Sequence, residues 1–546
     1  MPETSRTGRA MEARLRVSGW LRTQTPLHVG GAGHEPRGAL AIAVDGLGRV
    51  YVPGTSLAGA LRAWSEGASR DGSELRDLWG YAEHRGPEGK ASRVVVRDAL
   101  VTADTSLGRN GIPAAPLDSR RLETRTGVGI DRVTGTAAPG ILHDRTVVPA
   151  GVFLRLGLDV ETTGQELDRD RARLGELLAS LATGQVRLGA ATTRGLGRIV
   201  LSDDLLRIEE DRLDSKAGLL ALLAGDSGRR RTIAELRAAG SAGLPPRREQ
   251  VTAEISWRPL AAVMVKSAAD GFAVSTVPLT TSVAAGQLAL ALPGSSIKGA
   301  LRSRAEWIER TVCGIDPARP DDDSITAAAA AFRAQLDELP AVRALFGAAP
   351  RGPQSGNAGS PDDDGRGRGA VAVDDCVSVT TVPEQLWQQV YGVPEPGQDG
   401  AGERAELPAG LREQLAAAGL HQADHVAIDR WTGGAAEGRL YSVLEPDGVS
   451  WEPIRITIDL TRLGEAGDLI ADAALALLLL VLRDLAEGWI PLGHGSNRGM
   501  GDMEVTRLRL TGPAWPEGTE LTSPLASDEA ERLTKQWQSY ADGRSR

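Results

Sequence analysis

Pro293-Gly294-Ser295-Ser296-Ile297-Lys298-Gly299-Ala300-Leu301-Arg302 follows an apolar run from Leu288 to Leu292. Pro293 and Gly294 break the strand that this run predicts. Ser295 or Ser296 can then cap a helix that Ala300 and Leu301 propagate. A helix start presents unpaired backbone N–H groups and the positive end of the macrodipole, which suits a phosphate. Lys298 and Arg302 are four residues apart and share one face of this helix. The pattern fits a nucleic-acid backbone better than a free nucleotide. The order Gly-x-x-x-x-Gly-Lys-Ser/Thr of a nucleotide-binding P-loop is absent.

Pro53-Gly54-Thr55-Ser56-Leu57-Ala58-Gly59-Ala60-Leu61-Arg62 repeats the stretch at an offset of 293 − 53 = 240 residues. Three further pairs follow in the same order. Leu78-Trp79-Gly80 answers Leu345-Phe346-Gly347. Ile130-Asp131-Arg132-Val133-Thr134-Gly135 answers Ile428-Asp429-Arg430-Trp431-Thr432-Gly433. Thr193-Arg194-Gly195-Leu196-Gly197-Arg198 answers Asn497-Arg498-Gly499-Met500-Gly501-Asp502. Collinear matches of this kind mark an internal duplication. The chain reads as two copies of one domain.

On these motifs, together with Leu27-His28-Val29-Gly30-Gly31 near the start of the chain, each copy resembles the RAMP (repeat-associated mysterious protein) superfamily, specifically the backbone subunits of type III CRISPR effectors. The resemblance covers roughly 13–202 and 250–510. It implies an α+β chain of two tandem ferredoxin-like, RNA-recognition-type domains with β-hairpin thumb insertions. The expected organisation is a first domain over 13–202, a helical linker over 203–249, a second domain over 250–510 and a tail over 511–546. It further implies crRNA and target RNA as ligands. The partners would be a large signalling subunit, a small subunit, a cap subunit and other backbone subunits.

Bulk properties accommodate this reading. A chain of 546 residues is long enough for two or three domains with cores of their own. Cys313 and Cys376 are the only cysteines and lack Cys-x-x-Cys spacing. They argue against a disulfide framework or zinc ribbon and for a reducing cytoplasm. No signal peptide opens the chain, and the apolar run Ala473 to Leu482 is too short to span a bilayer, so no membrane role is expected. The formal net charge of −10 disfavours indiscriminate nucleic-acid binding but leaves room for a local basic groove.

In chain order, residues 1–12 are polar and expected to be disordered. His28, before Gly30 and Gly31, reads either as a turn residue or as an RNA contact. The family's resemblance places a catalytic aspartate shortly before the strand that precedes the Pro-Gly stretch. Such an acid would position Mg²⁺ or orient the 2′-hydroxyl for attack. Here Arg37 or Gly38 and Thr276 fall at that place. Glu35 and Asp270 are the substitutes within a few residues; Asp270 is the better candidate, though its place in Ala269-Asp270-Gly271 suits a solvated turn more than catalysis. Asp374 and Asp375, adjacent in an expected strand over 370–379, point to opposite faces and suit structure better than catalysis. Helix is expected over 57–80 and strand over 185–189.

Arg125, Asp131, Arg132 and Thr134 fall in the segment that the resemblance makes a thumb, with Arg430 and Trp431 as their second-copy counterparts. Trp431 suits base stacking. Arg194 and Gly195, and later Asn497, Arg498 and Gly499, form glycine-rich loops able to cradle phosphate. Gly54, Thr55, Ser56 and Arg62, with Gly294, Ser295, Ser296, Lys298 and Arg302, complete the expected RNA contacts. Residues 351–369 and 392–411 read as disordered insertions. A short helix is expected near 527–540.

Two readings follow. One is a guide-RNA-binding backbone subunit, holding crRNA and its paired target. The alternative is that the same subunit also cuts target RNA at regular intervals as a Mg²⁺-dependent endoribonuclease. The missing in-register aspartates favour the first. No resident metal site is read from the sequence.

Overall fold

The computed structural model describes residues 11–34, 40–69, 72–82, 89–225, 228–348, 367–392, 407–521 and 528–544. The chain divides into two compact units. The first comprises 1–123, 146–192 and 196–248; the second comprises 124–145, 193–195 and 249–546.

The first unit is built on the antiparallel pair Ala13–Thr23 and Phe153–Thr162. Alternation along Ala13–Thr23 puts Ala13, Leu15 and Val17 on one buried face, as a period of two requires. Strands Arg207–Arg212 and Arg229–Arg231 extend one side of this pair, and Ala99–Thr102 and Tyr51–Val52 extend the other. Val94–Val96 pairs with Phe153–Thr162 as well. Helix Gly54–Glu66 buries Leu57 and Leu61, one turn apart, and helix Leu167–Ala182 buries Leu174, Leu177, Leu178 and Leu181. These side chains share one core with the sheet.

The second unit repeats the plan. Gln250–Pro259 lies between Ile454–Asp459 and Met503–Gly512, antiparallel to both. Val371–Asp374 pairs with Ile454–Asp459 on one edge and, in parallel, with Arg194–Gly195 on the other. Helix Asp468–Ala486 is apolar over most of its circumference because helices Gly294–Cys313, Pro340–Phe346 and Asp528–Arg544 and strand Met503–Gly512 lie against it. The Tyr540 hydroxyl of the last helix donates to Glu309, a fully buried carboxylate that also accepts from the Val342 amide at 2.9 Å. Among the described residues no helix is long and apolar enough to cross a membrane.

Several local expectations are corrected. The segment 203–248 is not a run of helix, since Arg207–Arg212 pairs directly with Ala13–Thr23. Ile208 is its buried apolar residue, while Glu210 binds Arg171 and Arg231. The strand expected over 185–189 is reduced to a single bridge between Arg187 and Arg198. Residues 57–80 form helix Gly54–Glu66 and then short turns over Ser73–Leu75 and Arg76–Trp79. The strand expected over 370–379 is interrupted at Asp375. Of the segments expected to be disordered, 1–10, 351–366 and 393–406 lie outside the described residues. Gly367–Arg368 is strand and Ala409–Ala417 is helix.

Candidate nucleic-acid interface

The two Pro-Gly stretches fold alike. Each apolar strand ends at a proline with extended backbone, and the helix begins at the following glycine without a side-chain cap, so neither Ser295 nor Ser296 caps. Glycine is needed for contact. A Cβ on Gly54 would stand 2.4 Å from the Val96 carbonyl oxygen, and one on Gly294 would stand 2.2 Å from that of Val373. The Gly54 amide donates to Asp98 at 2.7 Å, and the Gly294 amide donates to Asp375 at 2.7 Å. A carboxylate of the chain itself therefore sits where the sequence suggested a phosphate. Thr55, Ser56, Ser295 and Ser296 flank ends that are already complemented.

The basic residues of the same helices are also engaged. Lys298 is buried, and its ammonium donates to the Val371 carbonyl at 2.7 Å. Burial, with Arg194, Arg302 and Arg368 nearby, lowers its pKa to about 7. Arg302 donates to Glu306 at 2.7 Å and to the carbonyls of Gly347 and Leu336, each at 2.9 Å. Arg62 donates to Glu66 at 2.7 Å. Lys298 and Arg302 thus serve the fold, which corrects their expected projection towards a ligand.

A different cluster gathers basic side chains. Arg125, His143, Arg145 and Arg194 belong to the second unit, the first three from the hairpin of Glu123–Ile130 and Ala137–Val147. The Arg145 Nε is buried without a hydrogen-bond partner. Partial burial and Arg194 lower the Arg145 guanidinium, and partial burial lowers Arg194 itself. Burial, then Arg145 and Arg194, lowers the His143 imidazole, against a smaller opposing effect of Asp144. Asp144 accepts from Thr126 at 2.6 Å, and Asp375, which stands 3.8 Å from Arg125, is shared with the Gly294 amide. Like charges held together in this way suit a polyanion. Sequence reading picked out Arg125 and Arg194 but missed His143 and Arg145. The repeat did not mark them, since His143 answers Tyr441 and Arg145 answers Val443.

The second copy has a related arrangement. Tyr441 stands where the repeat places His143, since 441 − 143 = 298 and 429 − 131 = 298. The Arg498 guanidinium lies over the Tyr441 ring at 5.7 Å and donates to its hydroxyl at 2.8 Å and to the His494 Nε2 at 3.0 Å. His425, the cross-strand partner of Tyr441, stacks on its ring with centroids 5.3 Å apart. Asn497 and Gly499 are exposed on the adjoining turn, where Gly499 has φ 82°. Gly195 needs the same freedom, with φ 96°.

The Asp-x-x-Thr-Gly repeat is a hairpin tip. The Asp131 carboxylate accepts from the amides of Val133 and Thr134 at 2.9 and 2.8 Å, and Asp429 accepts from those of Trp431 and Thr432 at 2.7 and 3.0 Å. Asp131 and Thr134 therefore shape the turn. Arg132 is bound to Glu306, and its amide donates to Gln335 at 3.0 Å. Arg430 and Trp431 are exposed, Trp431 at 95%.

His28 is buried, with Nδ1 2.7 Å from the Thr146 carbonyl oxygen, so Nδ1 carries the proton and the ring acts as a turn anchor. Gly31 lets its strand approach Ile42, whose carbonyl oxygen would be 2.5 Å from a Cβ there, and Gly30 pairs in register with Ile42. Asp270 is exposed and paired with Lys266 at 3.2 Å. Glu35 lies outside the described residues. Among the described residues no three His, Cys, Asp or Glu side chains are grouped to hold a metal ion.

A family model described as the RAMP superfamily matches residues 20–200 and again 290–504. No curated protein matches the chain.

Proposed function

Because the chain belongs to the RAMP superfamily, which includes CRISPR-associated RNA-binding proteins, we propose that it is a guide-RNA-binding backbone subunit of a type III CRISPR effector. In this reading each repeat contributes one module to a crRNA and its paired target RNA. The partners are the other subunits of the effector. The observation that carries the reading is the arginine–histidine cluster around Arg145 and Arg194, with its unpartnered buried Nε and lowered guanidinium pKa. RNA phosphates supply negative charge at spacings a guanidinium can follow. Arg498 over Tyr441 provides a second cation beside an aromatic face.

The test is purification from the native host with sequencing of bound RNA, followed by binding assays on single-stranded RNA. Repeat-derived RNA in the wild-type complex, and loss of binding in Arg145→Glu with Arg194→Glu, is the expected result. Two reversed charges reduce affinity at least about tenfold and flatten its salt dependence by about two counterions. Wild-type affinity in that variant would sink the assignment of the site. Target-RNA cutting with Mg²⁺ rests on Asp270, which its ion pair with Lys266 does not favour, and on Glu35. Cuts at regular spacing that vanish in Asp270→Ala would establish that reading.

A further inference from the structure

In the first unit, helix Lys216–Leu223 is apolar at Ala217, Leu219, Leu220, Ala221, Leu222 and Leu223, yet none of its eight residues is buried. Ser215 caps it, its side chain accepting from the Gly218 amide at 3.1 Å. At Gly218 it leans on strand Arg207–Arg212, where an added Cβ would stand 2.1 Å from the Arg212 carbonyl oxygen. A helix this short does not hold by itself in water, and one that is apolar over most of its circumference is normally covered. Leu219, Leu220 and Leu223 are 46%, 54% and 83% exposed. At spacings of three and four residues they form one ridge. An exposed apolar ridge of this kind marks a contact surface.

Charge around the ridge is sorted. The acids of the neighbouring strand are held by arginines of the same unit. Asp211 pairs with Arg14 and Arg16 at 2.9 and 2.7 Å, Glu209 with Arg16 at 3.6 Å, and Glu210 with Arg171 and Arg231. Asp214 holds Arg212. Strand Arg229–Arg231 lies beyond them as the last strand of the sheet, and among the described residues no strand pairs with its outer side. Arg229 and Arg230 are exposed on it, and Lys216 is exposed at the helix start. Glu235 lies near Arg231 and Arg229 and is engaged in a capping box with Thr232.

From this apolar ridge and its cationic border we infer that helix Lys216–Leu223 docks into an apolar groove, rimmed by carboxylates, on another protein. Leu219, Leu220 and Leu223 fill the groove, while Lys216, Arg229 and Arg230 meet its rim. The contact is of the helix-in-groove kind, with this chain supplying the helix. Charge selects the occupant. A symmetric pairing of two copies would set arginine against arginine. An anionic bilayer repels a chain of net charge −10, whereas a protein groove meets the local patch alone. The contact uses none of Arg125, His143, Arg145 and Arg194, so its failure and the failure of RNA binding are separate results.

Benzoylphenylalanine in place of Leu220, in the full chain in its native host, tests this by photo-crosslinking and peptide mapping. The expected product joins that position to one other protein, within an apolar segment flanked by Asp or Glu. Arg229→Glu with Arg230→Glu should lower its yield about tenfold or more, and so should Leu223→Asp. Circular dichroism melts and bound RNA should match the wild type in both, because all three side chains are exposed. Crosslinks confined to this chain or a second copy overturn the inference, as do crosslinks to lipid or to a segment without acidic flanks. So does a yield that either variant leaves unchanged, a parallel loss of bound RNA, or no crosslink at all.

Discussion

The two hairpins share a turn and differ in what surrounds it. At Asp131 the tip is folded against the protein, with Arg132 on Glu306 and Gln335 donating to Asp131 at 3.0 Å. At Asp429 the same carboxylate-to-amide bonds form, while Trp431 stands almost wholly in solvent. The turn is therefore a local property of Asp, Thr and Gly at fixed spacing. Its burial depends on what the rest of the chain brings to it. The receiving side differs in the same way, since an ion pair of one length is buried at Arg302–Glu306 and part-exposed at Arg62–Glu66. Equal geometry carries unequal energy, because a desolvated pair is costly to break and a hydrated one is not.

Glu306→Ala is the strongest way to break this comparison. It strands Arg132 and Arg302 in a covered position and should cost about 3–5 kcal/mol, read as a fall in the denaturation midpoint. An unchanged midpoint would mean that Glu306 is not desolvated as described. Gly294→Ala and Gly54→Ala come next. Each new Cβ meets a backbone carbonyl, so both should lose about 1–3 kcal/mol, and by similar amounts, because helix start and strand approach alike in both copies.

Lys298 gives a pH signature without a counterpart at Ala58. Its folded pKa of about 7 lies below the unfolded value of 10.5, so across that window the unfolded chain holds a proton that the folded chain lacks. Stability should therefore rise as pH increases from about 7 towards 10, and below that window the full cost of burying the ammonium applies. Urea titrations of wild type and Lys298→Met should show this slope in the wild type and its loss in the variant. The smallest effect is expected at Glu66→Ala, below about 1 kcal/mol, since the pair it breaks is partly hydrated. A loss as large as that of Glu306→Ala would erase the distinction between the two faces.

Much of the architecture was legible along the chain. Period-two burial in Ala13–Thr23, the apolar run of Asp468–Ala486 and the strand-to-helix breaks at Pro53 and Pro293 are local signals, and the repeats align them. Arg207–Arg212 was not legible. It is a polar strand whose Glu210 is neutralised by Arg171 and Arg231, so its charges resemble those of a solvated helix. The candidate site was half legible. Arg194 and Arg498 stood out by repeat position, and Arg125 by its place in the hairpin segment. The partners that turn Lys298, Arg302 and His28 inward, the Val371, Gly347 and Thr146 carbonyls, lie far away in sequence.

Order along the chain settled the duplication, the Asp-Thr-Gly turns and the glycine at each helix start, because these depend on spacing, turn chemistry and the room a backbone needs. Tertiary packing settled which copy of each group faces solvent. Asp98 and Asp375 cap equivalent amides, but only Asp375 has Arg125 beside it, because the desolvation of a charge is set by neighbours that sequence distance does not reveal.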